Sequence, residues 1–164
     1  MKKVLVLLFL AVFVWADAFD DGAAAANRGD WQEAIRQFTQ AIKIDPNNRD
    51  AYLLRGASYD EFGDRSKAIA DYTQAIKIDP NVGALAYYVR GNSYATLGDY
   101  SKAIADFTQA ISINPSDAKT YNNRGVSYAK LRNFRQATQD ARKACELGNC
   151  GLLQLLGKNG WISD

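Results

Sequence analysis

The sequence predicts an all-α fold built from repeated helical hairpins, and three observations carry that prediction. Gly29-Asp30, Gly63-Asp64 and Gly98-Asp99 recur at intervals of 34 and 35 residues, and Pro46, Pro80 and Pro115 keep the same intervals. A fixed period of this length marks a repeat array. Phe38-Thr39-Gln40-Ala41-Ile42 returns as Tyr72-Thr73-Gln74-Ala75-Ile76 and as Phe107-Thr108-Gln109-Ala110-Ile111. Tyr52, Gly56 and Tyr59 return as Tyr87, Gly91 and Tyr94 and as Tyr121, Gly125 and Tyr128, with spacings of four and three that share one helical face. Composition agrees, because 164 residues that are 48% hydrophobic and 23% charged, with only 3 Pro, match a folding chain.

In chain order, Lys2 and Lys3 precede an uninterrupted apolar run from Val4 to Ala16, and Ala16-Asp17-Ala18 offers small residues to a signal peptidase. Residues 1–18 are expected to be a secretory signal cleaved after Ala18. The run is too short for an anchor, since spanning the hydrocarbon core takes about 20 apolar residues. The expectation is an exported chain, periplasmic or secreted, with no stable membrane span after cleavage.

Four hairpins should follow, at about 19–48, 49–83, 84–117 and 118–148, and then a cap and tail over 149–164. In each, the first helix carries the Tyr and Gly face and stops near a Gly such as Gly63 or Gly98, suited to a left-handed turn. The second starts with the Asp, runs through Ala and Ile, and stops before the Pro. The first hairpin has only Ala23 to Ala26 where later ones place larger side chains, so its first helix is expected to fray. One extra residue around Asn81-Val82-Gly83 should change the tilt between neighbours. The fourth hairpin reads as an end, with Ala141 in the place of Phe38, Tyr72 and Phe107, and Asn149 in the place of the Pro.

Arg55, Arg90 and Arg124 precede the helix Gly, and Asp71, Asp106 and Asp140 lie sixteen residues later; the first hairpin has Asp21 and Gln37 instead. Ion pairs Arg55–Asp71, Arg90–Asp106 and Arg124–Asp140 are expected within the three later hairpins, worth about 0.2–1 kcal/mol each if partly exposed. Independently solvated charges are the alternative.

Gly98-Asp99-Tyr100, Ala103, Phe107, Ala110 and Pro115, preceded by Tyr87, Gly91 and Tyr94, resemble the tetratricopeptide repeat (TPR), over roughly residues 15–148. The resemblance implies a right-handed solenoid whose inner groove binds peptides or partner helices, without catalysis. Among chaperone-binding members, Lys, Arg and Asn hold a C-terminal carboxylate. Asn92 and Asn123 match two of those Asn positions, but Tyr88 replaces the Lys before Asn92, which argues against that role here.

Residues offset from the Tyr and Gly stripe are the groove candidates. They are Asp50, Leu53 and Asp60, then Tyr88 and Asn92, then Lys119, Asn122, Asn123 and Lys130. An acidic end, an apolar middle at Leu53 and Tyr88, and a basic end would orient a peptide by charge; ordinary solvated helix faces are the plain alternative.

The chain has no His, which removes the commonest general base and metal ligand, and the formal charge of +2 argues against nucleic acid. No metal and no cofactor are expected. Adjacent carboxylates such as Asp60-Glu61 and Asp20-Asp21 diverge on a helix and are unsuited to acid–base work. Cys145 and Cys150 cannot complete a zinc site and are expected to form a structural disulfide, with free thiols or a redox pair as alternatives. Leu152, Leu153, Leu155 and Leu156 should form a helix that caps the array or, alternatively, a dimerisation patch, and Trp161 fits either. Function therefore reads as non-catalytic protein or peptide binding in the cell envelope, with self-association through the array ends as the alternative.

Overall fold

A computed structural model describes residues 18–80 and 83–161. The expected leader, apart from Ala18, and Asn81 and Val82 of the inserted residue lie outside them. The described residues divide into two compact halves, 18–80 and 83–161. The N-terminal half contains α1 (residues 18–27), α2 (Trp31–Ile44), α3 (Arg49–Phe62) and α4 (Arg65–Ile78). The C-terminal half contains α5 (Ala84–Thr96), α6 (Tyr100–Ile113), α7 (Ala118–Lys130), α8 (Phe134–Glu146) and α9 (Gly151–Lys158). All regular elements among the described residues are helical.

The repeated Gly-Asp pair works as punctuation. Asp30, Asp64 and Asp99 sit one position before α2, α4 and α6, and each side chain accepts the backbone N–H three residues on, in the helix's first turn, at 3.2 Å. Hydrogen bonds from Lys67 and Lys102 hold the Asp64 and Asp99 carboxyls below their usual range. Gly29, Gly63 and Gly98 adopt φ of 75°, 97° and 83°. The fourth such turn carries Arg132 at φ 59° instead. A side chain in this region is strained, so Arg132→Gly is expected to raise stability by about 0.5–1 kcal/mol. A lower urea midpoint for the variant would show that Arg132 contributes more than the strain removes.

Inside each hairpin the stripe glycine lets the second helix's aromatic ring lie against the first helix's backbone. A Cβ added to Gly56 would stand 2.7 Å from Tyr72, and one added to Gly91 would stand 2.8 Å from Phe107. The first hairpin does the same with Gly22 and Phe38, at 2.8 Å. The expectation of a weak α1, built on its alanines, overlooked Gly22. Ala25 is fully buried, Ala18 lies in the core with Ala41, Ile42 and Ala51, and Phe19 meets Phe38 edge-on at 5.7 Å.

In the fourth hairpin, where Ala141 leaves the ring's place vacant, Leu152 of α9 enters it. A Cβ on Gly125 would lie 2.7 Å from the Leu152 side chain. Leu152 and Leu156 are buried with Ala137 and Ala141, so α9 closes the last hairpin as a cap. Trp161 stacks on Phe134 with ring centroids 4.7 Å apart. Cys145 and Cys150 form a disulfide with Cα atoms 4.0 Å apart, tying α8 to the start of α9. Gly148 at φ 98° makes the reversal between them. A loop this short should contribute roughly 2 kcal/mol by the chain-entropy relation.

The three Arg–Asp pairs all form, and each is bidentate. Arg55 reaches both oxygens of Asp71 at 2.7 Å, Arg90 those of Asp106 at 2.7–2.8 Å, and Arg124 those of Asp140 at 2.8 Å. The Asp side chains are 7% exposed and the Arg side chains 15–17%, far less than the partly exposed pairs expected. The reason is tertiary. Arg55 lies between the Tyr52 and Tyr59 rings and also donates to Thr39 of α2, as Arg124 does to Thr108 of α6. Arg55 and Arg124 thus link neighbouring hairpins as well as closing their own.

Candidate functional site

In the N-terminal half the candidates all lie on α3. Asp50 is exposed and pairs with Arg49, which also reaches Asp79 at 2.8 Å. Leu53 is half-buried. Asp60 accepts the Tyr72 hydroxyl at 3.0 Å. Burial, reinforced by Asp60, pushes the Tyr72 phenol well above its usual pKa and keeps it a hydrogen donor. Asp60 is therefore tied into the hairpin's own packing.

The C-terminal half brings its candidates together. Helices α5 and α7 lie side by side, and Asn123 of α7 bridges them. Its Nδ2 donates to Asn92 Oδ1 at 2.9 Å and to the Tyr88 hydroxyl at 3.3 Å. Asn122 donates in turn to Asn123 Oδ1 at 3.3 Å. Tyr88 leans on Phe107, with ring centroids 6.1 Å apart. Four residues that sequence spacing placed on two separate helices thus form one hydrogen-bonded chain. Lys119, by contrast, is exposed at the start of α7, and its cap Asp117 engages its backbone N–H.

Beside this chain lies a cavity of about 330 Å³, lined by Asn92, Thr96, Asn123, Val126 and Lys130 and floored by Tyr100 and Phe107. Sequence reasoning missed Tyr100, Phe107 and Ser127 as lining residues. The Phe107 pattern reads as core, and the ring is indeed fully buried from solvent while still forming the cavity's floor. Thr96 and Ser127 donate their hydroxyls back to the Asn92 and Asn123 carbonyls at 2.9 and 2.8 Å, so both helix faces are held at the cavity wall. Asp106 fixes Arg90 on the same helix as Asn92, and that hydrogen bond raises the guanidinium's pKa.

No group of His, Cys, Asp and Glu among the described residues could hold a metal ion. No helix among them is long and apolar enough to cross a membrane. The arrangement offers amide and hydroxyl hydrogen bonds, an apolar floor and one cation. Those are means of holding an extended chain.

Tetratricopeptide repeat families match residues 22–63, 50–82, 84–117 and 118–148. Among solved structures, the MamA protein is similar, with 26% identity and a TM-score of 0.79 over 82% of this chain and 73% of that one. The Arabidopsis OM64 TPR domain has 29% identity and a TM-score of 0.64, over 75% of this chain and 98% of the domain. MamA from Desulfovibrio magneticus RS-1 shares the fold, at 20% identity and a TM-score of 0.83 over 88% of this chain and 82% of that one. Comparison with curated proteins finds no match. With four consecutive matches from residue 22 to residue 148, and hairpins closed by glycine–aromatic contacts, the chain is an all-α repeat solenoid and belongs to the tetratricopeptide repeat family.

Proposed function

We propose that this protein is a non-catalytic peptide-binding scaffold of the cell envelope, using the first-helix face of its C-terminal half. The tetratricopeptide repeat is a protein-interaction fold, and the observation that carries the finer reading is the Asn123 bridge. One side chain orders Asn92 and Tyr88 from the neighbouring helix at the edge of a 330 Å³ cavity. Asparagine amides placed in this way can pair with the backbone of an extended peptide, while an aromatic anchor supplies contact area at low entropic loss.

Export is supported by Lys2-Lys3 and the apolar run after them, and by the Cys145–Cys150 bridge, which suits an oxidising compartment. The test is selection from a random dodecapeptide library displayed without free C-termini. The immobilised proteins are the wild type and a Tyr88→Ala, Asn92→Ala variant shown by circular dichroism to be folded. Peptides retained at least about tenfold better by the wild type are expected, matching two lost anchors.

Equal retention, or none, would favour the second reading, self-association. Its supporting observation is that Leu131, Leu155 and Trp161 remain 46–54% exposed in the last hairpin and cap. A sedimentation series over protein concentration reads that outcome directly.

A further inference from the structure

The hydrogen bonds beside the cavity run in one direction, and that direction selects a ligand chemistry. Asn92 Oδ1 and Asn123 Oδ1 both already accept, from Asn123 and Asn122. The Tyr88 oxygen accepts from Asn123, which leaves its proton to donate. Asn92 Nδ2 has no acceptor among the described residues, and Lys130 forms no ion pair among them. Asn92 Nδ2 and the Tyr88 proton are therefore open donors, while each amide oxygen has one of its two lone pairs engaged. No carboxylate lines the cavity, and Lys130 is its one charged wall. The surroundings have the same sign, with ten Lys and Arg against five Asp and Glu across residues 83–161.

We propose that the cavity receives an Asp or Glu side chain of an extended acidic peptide, with Lys130 as its charge partner and Asn92 as a neutral donor, while Tyr88 beside the cavity contacts the peptide's neighbouring residue. The inference rests on the peptide-groove reading and adds the partner's chemistry to it. A carboxylate accepts several hydrogen bonds at once, and a charged acceptor strengthens each of them. The half-buried Tyr100 ring takes the methylene of the entering side chain. The hydroxyl oxygen of exposed Thr96, whose proton is already donated to its own helix, remains as an acceptor for a backbone N–H of the strand. This differs from holding a free C-terminal carboxylate, because the anion here is a side chain within the strand.

The selected dodecapeptides provide the probe. Peptides enriched on the wild type should carry Asp or Glu at one fixed position. With C-terminally amidated copies, Glu→Gln at that position should weaken binding by about tenfold or more, as expected for a charge-assisted contact. On the Lys130→Gln protein the same peptide change should alter affinity less than about twofold, since the charge partner is gone. Lys158→Gln, which removes an exposed charge on α9, should behave as wild type. Enrichment that depends on Tyr88 and Asn92 but shows no acidic position would overturn this inference and leave the groove reading standing. An acidic preference unchanged in Lys130→Gln would also overturn it. Binding that requires a free C-terminus would move the anion to the peptide's end and overturn the side-chain assignment. Failure of any peptide to depend on Tyr88 and Asn92 would overturn both readings.

Discussion

Leu152→Ala is expected to destabilise the protein by about 2–4 kcal/mol, a large loss for a side chain outside the repeat pattern. Leu152 is 5% exposed and fills the place over Gly125 that Tyr72 and Phe107 fill over Gly56 and Gly91. Removing it opens a cavity between α7, α8 and α9 that the short cap cannot close. The informative partner change is Ala141→Phe, which restores the repeat's own ring. Alone it should cost about 1–3 kcal/mol, because Leu152 already occupies the space. Combined with Leu152→Ala it should recover at least about 1 kcal/mol relative to the single Leu152 variant, since residues sharing one space are not additive. Urea unfolding of the four proteins reads this coupling. Strict additivity would mean that Leu152 does not stand in for the missing aromatic.

Asp106→Ala is expected to cost about 2–3 kcal/mol, because it leaves the Arg90 guanidinium largely buried without its counter-charge. The loss is set below that of a fully buried pair because the Arg90 side chain keeps 15% exposure. A double-mutant cycle with Arg90→Ala should return a coupling of about 1.5–3 kcal/mol, above the range typical of exposed pairs. High salt should leave most of it in place, since screening acts weakly on pairs sheltered from solvent. The cycle is measured by denaturant unfolding at low and high salt. A coupling under about 0.5 kcal/mol would reduce the pair to a surface contact.

The comparison between sequence and structure divides along the range of the interactions. The hairpins, their caps and the Arg–Asp pairs were legible because each is repeated at a fixed period, so a local signal was displayed several times over. The strength of those pairs was not legible. It depends on Tyr52 and Tyr59 enclosing Arg55, and on Thr39 of the preceding hairpin. Gly22 was overlooked because its tyrosine neighbours are replaced by Ala18 and Ala25, and only the contact with Phe38 identifies its role.

The candidate site shows the same division more sharply. Helical spacing alone placed Tyr88, Asn92, Asn122 and Asn123 on the faces that could meet a partner. It treated Asp60 as equivalent to them, whereas the structure engages that carboxylate with Tyr72. It also assigned Phe107 to the core, although the ring doubles as the floor of the cavity.

By itself, then, the sequence determined the all-α repeat and the glycine and aromatic positions that close its hairpins, because periodic apolar and glycine positions act through neighbours three, four and about thirty-four residues away. Only the tertiary structure decided which atoms donate and which accept at the cavity, and which side chain fills the place left by Ala141. Hydrogen-bond direction and the filling of a void depend on the packed positions of several helices at once, and no spacing along one helix contains them.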